Sequence, residues 1–209
     1  MKLTVHTFLT VDGVMQGPGG ADEDTGGGFD RGGWLVPYVD QDFGQIVNSW
    51  FERADAILLG RTTYQLMAPY WTQVDDPENM VAAKLNGLPK FVVSSTLHDP
   101  DWHNTTVLSG DVLEEVMRLK ERSGDELQVH GSWKLASTLH EAGLVDEYRL
   151  LTFPVAVGPG KRLFSETAPA TGFTLVDSRV TSTGVIYSVL QPAPFEVGRV
   201  GVVEGREAV

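Results

Sequence analysis

The 209-residue sequence contains no cysteine. That excludes disulfides, thiol nucleophiles and thiolate-ligated zinc, and it leaves the redox compartment open. Positive charge is also scarce: 16 Lys and Arg stand against 28 Asp and Glu, for a formal charge of -12. A nucleic-acid footprint or a broad anionic-membrane contact needs clustered cations in excess, so the composition argues against both. An anionic ligand would have to be held by a few local donors, because salt screens the net charge within about 10 Å. No apolar run approaches the roughly 18 residues of a membrane span. MKLTVHTFLTVDG alternates with polar residues where a signal peptide would be continuously apolar, so a cytoplasmic protein is expected. No histidine pair has the spacing of a helical metal site, and the acids Asp22, Glu23 and Asp24 lack the closing glutamate of a calcium loop. No metal is expected. A GxSxG nucleophile elbow and an HxE…PCxxC zinc-deaminase pattern are both missing. Asn104-Thr105-Thr106 matches a glycosylation acceptor but reads as a turn.

What is present is apolar content of 42%, ample for one globular domain over residues 1–191 with a weakly patterned tail over 192–209. Lys2 to Val11 reads as a strand ending at Asp12-Gly13. The glycine-crowded stretch 17–34 that follows is a long loop, either a lid or a surface connection, and it lacks the dinucleotide GxGxxG spacing. Phe43, Ile46, Val47, Trp50, Phe51 and Ala54 give a helical stripe with Asp40 as its N-cap. Ala56–Leu59, Lys90–Ser94 and Glu126–His130 are short apolar or β-rich runs suited to buried strands. Asp76-Pro77 predicts a helix through Asn86, Asp111 and Glu114 a helix to about Arg122, and Gly143 caps a helix carrying Leu135, Ala136 and Leu139. The final third is β-rich without helices. This order predicts a three-layer α/β/α fold, a mostly parallel sheet with helices on both faces and an antiparallel C-terminal edge.

Three strands end alike: Leu59 before Gly60-Arg61-Thr62, Val93 before Ser94-Ser95, and His130 before Gly131-Ser132. At the carboxyl ends of such a sheet, helix N-termini present unpaired N–H groups, glycine admits a phosphate to the backbone, and Arg, Ser and Thr add donors. Ordinary helix capping explains any one of these ends; the three together point to a nucleotide.

At these residues the chain resembles the dihydrofolate reductase-like superfamily, in the branch of the C-terminal reductase domain of bacterial riboflavin biosynthesis. "FLTVDGVMQGP", "SWFERADAILLGRTTYQLMAPYW", "LPKFVVSSTL" and "VHGSWKLASTLHEAGLVDEYRLLTFPVAVGPGKRLF" carry the likeness in that order, over about residues 2–191. The resemblance implies an NADPH-dependent oxidoreductase that transfers hydride to a pteridine- or pyrimidine-like heterocycle, acting as a homodimer. Gly60, Arg61 and Thr62 would meet the cofactor's phosphates, with Arg61 near the 2′-phosphate. Ser94 and Ser95 would flank the adenosine end, and Gly131, Ser132, Trp133, Lys134 and Leu135 would hold the pyrophosphate. The family often has two adjacent glycines where this chain has Gly131-Ser132. Gly13 and Val14, after Asp12, match the loop beside the nicotinamide, with the glycine-rich segment as its lid. Reduction of C=N or C=O also requires a proton. Folate-reducing members keep an acid on the first helix, where this chain offers Asp42 and Asp40; Asp12 is the third candidate catalytic acid. Trp34 and Tyr38 are the candidates to line the substrate pocket. The rival is a non-catalytic NADP-binding module that controls assembly or a partner.

Overall fold

The computed structural model describes residues 1–198, 200–203 and 206–208. Its main sheet has eight strands: β1 (Lys2–Thr10), β2 (Ala54–Gly60), β3 (Lys90–Val93), β4 (Thr105–Leu108), β5 (Glu126–His130), β6 (Glu147–Phe153), β7 (Gly172–Val180) and β8 (Ile186–Ala193). They lie in the order β4-β3-β2-β5-β1-β6-β8-β7. The first six pair parallel with one another, whereas β8 runs antiparallel to both β6 and β7. The expected three-layer α/β fold with an antiparallel edge is therefore present.

Helices α1 (Gln41–Glu52), α2 (Arg61–Trp71) and α3 (Met80–Gly87) cover one face; α4 (Val112–Lys120) and α5 (Trp133–Glu141) cover the other. Ile57 and Leu59 pack under the first set while Leu58 packs under the second, the alternation a doubly covered strand imposes. Burying one such side chain stabilises the fold by roughly 1.5–3 kcal/mol.

The expected helix starts hold in two cases. Asp40 accepts from the Phe43 amide at 2.7 Å and Asp111 from the Glu114 amide at 3.0 Å. Gly143, at φ +65°, ends α5: its amide donates to the His140 carbonyl and that of Leu144 to the Leu139 carbonyl, a Schellman pair. The third start is corrected. Asp76 accepts from Glu78 in a turn, and α3 begins at Met80 under an Asn79 cap. Another correction concerns Asn104-Thr105-Thr106. Asn104 has a turn-like φ of +56°, but Thr105 and Thr106 open the edge strand β4. The sequence boundary at Pro192 falls inside β8; beyond it, β9 (Gly201–Val203) pairs antiparallel with β10 (Arg206–Ala208). Within that expected tail, residues 199, 204, 205 and 209 lie outside the described ones.

Candidate functional site

Because β3, β2 and β5 are neighbours, the tips at Val93, Gly60 and His130 stand side by side. Gly60 leads directly into α2, and Ser132 into α5, and neither helix has a side-chain cap on its first turn. Two sets of unpaired amides with positive dipole ends therefore face one crevice. A serine clamp joins them: Ser132 Oγ accepts from the Gly60 amide at 2.9 Å and donates to the His130 carbonyl at 2.9 Å, while its own amide donates to Thr63 Oγ1 at 3.0 Å. Gly131 and Ser132 both adopt left-handed φ, +53° and +57°. The serine thus takes a glycine-like backbone conformation, at about 1 kcal/mol, in exchange for tying two strands together.

The crevice has a volume of about 520 Å³, and Gly60, Arg61, Thr62, Ser132, Trp133, Lys134 and Leu135 line it as one group. Gly131 borders an adjoining apolar pocket of about 270 Å³, which shares Ser132, Trp133, Thr63 and Lys161 with the crevice. Its walls come from β1 (His6, Phe8), α1 (Val47, Trp50, Phe51), α2 (Leu66, Met67, Trp71), and Met15, Gln16 and Pro18 of the loop after β1. The glycine-rich loop folds over both spaces. Gln16 Nε2 donates to the carbonyls of Asp24 at 3.0 Å and Gly26 at 2.8 Å, and Lys161 Nζ holds both Asp24 oxygens at 2.8 and 2.5 Å. Gly32 crosses Gly20 so closely that a Cβ would lie 2.3 Å from the Gly20 carbonyl oxygen.

Other expected site residues lie elsewhere. Asp40 Oδ2 accepts from the Ser182 hydroxyl at 2.8 Å and the Thr183 amide at 3.1 Å; Asp42 accepts from the Ser182 amide at 3.0 Å. Both carboxylates clasp the β7–β8 turn and border neither space, which corrects their placement as pocket acids. Hydrogen bonding, led by the Phe43 amide, lowers Asp40 to about 2, so it holds no proton near neutrality. Asp12 accepts from Thr10 and from the Gly158 and Val157 amides. Desolvation raises its pKa, yet these bonds together outweigh that and leave it below the usual carboxylate range. It fastens the loop to the segment after β6. Gly13, at φ +80°, forms that turn and Val14 is buried beside it; the loop reaches the pocket from Met15 onward. Ser94 accepts from the Thr96 and Leu97 amides within its own turn, and Val93, not Ser94 or Ser95, borders the crevice. Trp34 donates to the Gln16 carbonyl at 2.8 Å and Tyr38 to that of Pro154 at 3.3 Å, and both pack edge-on against Phe153. They support the loop; Phe8, Trp50, Phe51, Trp71 and Trp133 supply the pocket's aromatic surface.

His140 is buried, with Nδ1 2.8 Å from the Tyr148 hydroxyl. His6 and His130 stack at 5.0 Å and line the pocket. Burial and the Arg149 charge push His130 down to about 3; burial, then His130 and Arg149, push His6 well down. Both imidazoles are neutral at physiological pH. The "VH" ahead of Gly131 was the one available signal for His130.

Parallel tips, uncapped helix starts and an adjoining apolar pocket are here features of a dihydrofolate reductase-like α/β fold with a crevice at its strand tips. The sequence model of the RibD C-terminal domain family matches residues 1–187, and the chain belongs to that family. It is 30% identical over 190 residues to the uncharacterized protein YyaP of Bacillus subtilis, covering 90% of this chain and 93% of that one. A candidate riboflavin biosynthesis protein from Shewanella sp. PV-4 superposes with a TM-score of 0.68 at 20% identity, over 93% of this chain and 100% of that one. A pyrimidine reductase-like protein from Corynebacterium diphtheriae gives 0.64 at 16%, over 92% of each chain. Dihydrofolate reductase from Enterococcus faecalis, complexed with NADP(H), gives 0.58 at 12%, over 92% and 97%. These three share the fold.

Proposed function

We propose that the protein is an NADPH-dependent reductase that transfers hydride to a small pteridine- or pyrimidine-like heterocycle. The observation that carries this reading is the pairing of two uncapped helix N-termini across one crevice that opens into an apolar, aromatic-walled pocket. The family and its reductase-named structural neighbours support the same class of chemistry. The α2 and α5 starts, with Arg61, Thr62 and Lys134, would hold the cofactor's phosphates; Thr63 and Ser132 fix the spacing of those helices. NADPH supplies the hydride. The chain's own residues would orient the rings and, through the apolar walls, shield the reacting faces from bulk solvent while one side stays open to water. The carboxylates at the pocket rim are engaged: Asp24 by Lys161, and Glu23 by the Gly19 and Gly20 amides. The proton on this reading comes from water.

NADPH oxidation measured against pterins, pyrimidinones and small quinones tests the proposal, with direct cofactor binding as control. Turnover with a heterocycle is expected. Tight NADPH binding without turnover on any acceptor would favour a nucleotide-binding module, and no binding would remove both readings.

A further inference from the structure

A column of buried polar groups runs up one face of the central strands to the pocket floor. Arg149 pairs with Glu126 at 2.6 Å, and Gln128 Nε2 donates to Glu126 Oε2 at 2.7 Å and to the Trp50 carbonyl at 2.5 Å. Both of those partners only accept, so the Gln128 amide has one consistent orientation, with Oε1 turned to His130 Nε2 at 3.1 Å. An oxygen there requires the proton of the neutral imidazole to be on Nε2. His130 Nδ1 is then a bare acceptor on a ring that lines the pocket. His6, stacked on it, is 1% exposed; Thr4 takes its Nε2 at 2.8 Å, and its Nδ1 has no partner among the described residues. Among the described residues the one Lys or Arg on the pocket wall, Lys161, is already matched by Asp24.

We infer that His130, backed by His6, forms a neutral imidazole floor that selects an uncharged, phosphate-free lactam-type heterocycle, whose ring N–H donates to His130 Nδ1. Gln128 is a positioning residue that acts through the His130 tautomer. The inference rests on the reductase reading for which space takes the substrate and which the cofactor.

The test is calorimetric titration of the full chain, with and without saturating NADPH, using pteridine-2,4-dione and its 1,3-dimethyl derivative as probes. The dimethyl compound has no ring N–H and should bind at least about tenfold more weakly. His130→Phe, which keeps the stacking, should bring the two affinities to within about twofold, through loss of binding by the N–H compound. Nitrogen-15 NMR of the unaltered protein provides a readout independent of any variant's folding: His130 should show the Nε2–H tautomer, with its Nδ1 resonance moving on addition of pteridine-2,4-dione. Equal affinities for the two probes, the opposite tautomer, or displacement of the dione by NADPH would each overturn the inference. NADPH binding alongside failure of both probes would overturn it while leaving the reductase reading intact. Failure of NADPH itself to bind would remove that reading instead.

Discussion

Arg61 is the first helical residue of α2, exposed beside amides that no side chain caps. A guanidinium there can grip a phosphate through two parallel N–H donors, an interaction of about 1.5–3 kcal/mol. Arg61→Ala should therefore weaken NADPH by about tenfold or more and NADH much less. Equal losses for the two cofactors, measured by fluorescence titration, would contradict its place near the 2′-phosphate. Histidine gives the pH dependence. His130 is depressed from an ordinary value near 6.5 to about 3, so the unfolded chain binds the proton first as pH falls. Its contribution to stability is complete above about 6.5 and is lost as pH drops towards 3. Denaturation followed across that window should show wild type losing stability more steeply than His130→Phe. Asp40, lowered to about 2, behaves likewise in its own range: Asp40→Ala should melt at a lower temperature near neutrality, a difference that fades as pH falls through that value. Neither the Asp40 nor the Asp42 placement could be read locally, because their partners Ser182 and Thr183 lie about 140 residues away in the chain.

At the level of elements, Ser132 connects strand tips and helix starts. Ser132→Ala keeps the left-handed strain and removes two side-chain hydrogen bonds, each contributing about 1 kcal/mol, whereas Ser132→Gly removes the bonds and relieves the strain. Chemical denaturation should therefore rank wild type above Gly and Gly above Ala; an alanine variant as stable as glycine would show that the backbone strain is negligible. Helix α1 and strands β2, β3 and β5 were legible in the sequence because their apolar periods match what they bury. Strand β4 was not: Thr105 and Thr106 are a poor apolar signal on a half-covered edge. Asp76-Pro77 misled because its capping chemistry also closes a turn, and only the packing of Val81, Ala82 and Leu85 locates the first buried turn of α3.

For the whole molecule, the decisive fact is sheet order. The sequence shows three similar strand ends, but only the insertion of β5 between β2 and β1 brings the third beside the other two and places His130 against His6 on one floor. The buried charges beneath that floor were equally illegible, since Glu126 and Arg149 are 23 residues apart and meet only across the sheet. Removing Arg149 leaves the fully buried Glu126 with the half-exposed Arg53 at 3.4 Å as its remaining cation, so Arg149→Met should cost up to about 3–5 kcal/mol in urea denaturation, more than a surface ion pair. The roles of crevice and pocket depend on where the cofactor lies. A crystal structure with NADPH bound tests that most directly: the pyrophosphate is predicted between the starts of α2 and α5, with the nicotinamide at the mouth of the histidine-floored pocket. A dinucleotide bound on another face, or with its nicotinamide turned away from that pocket, would contradict it.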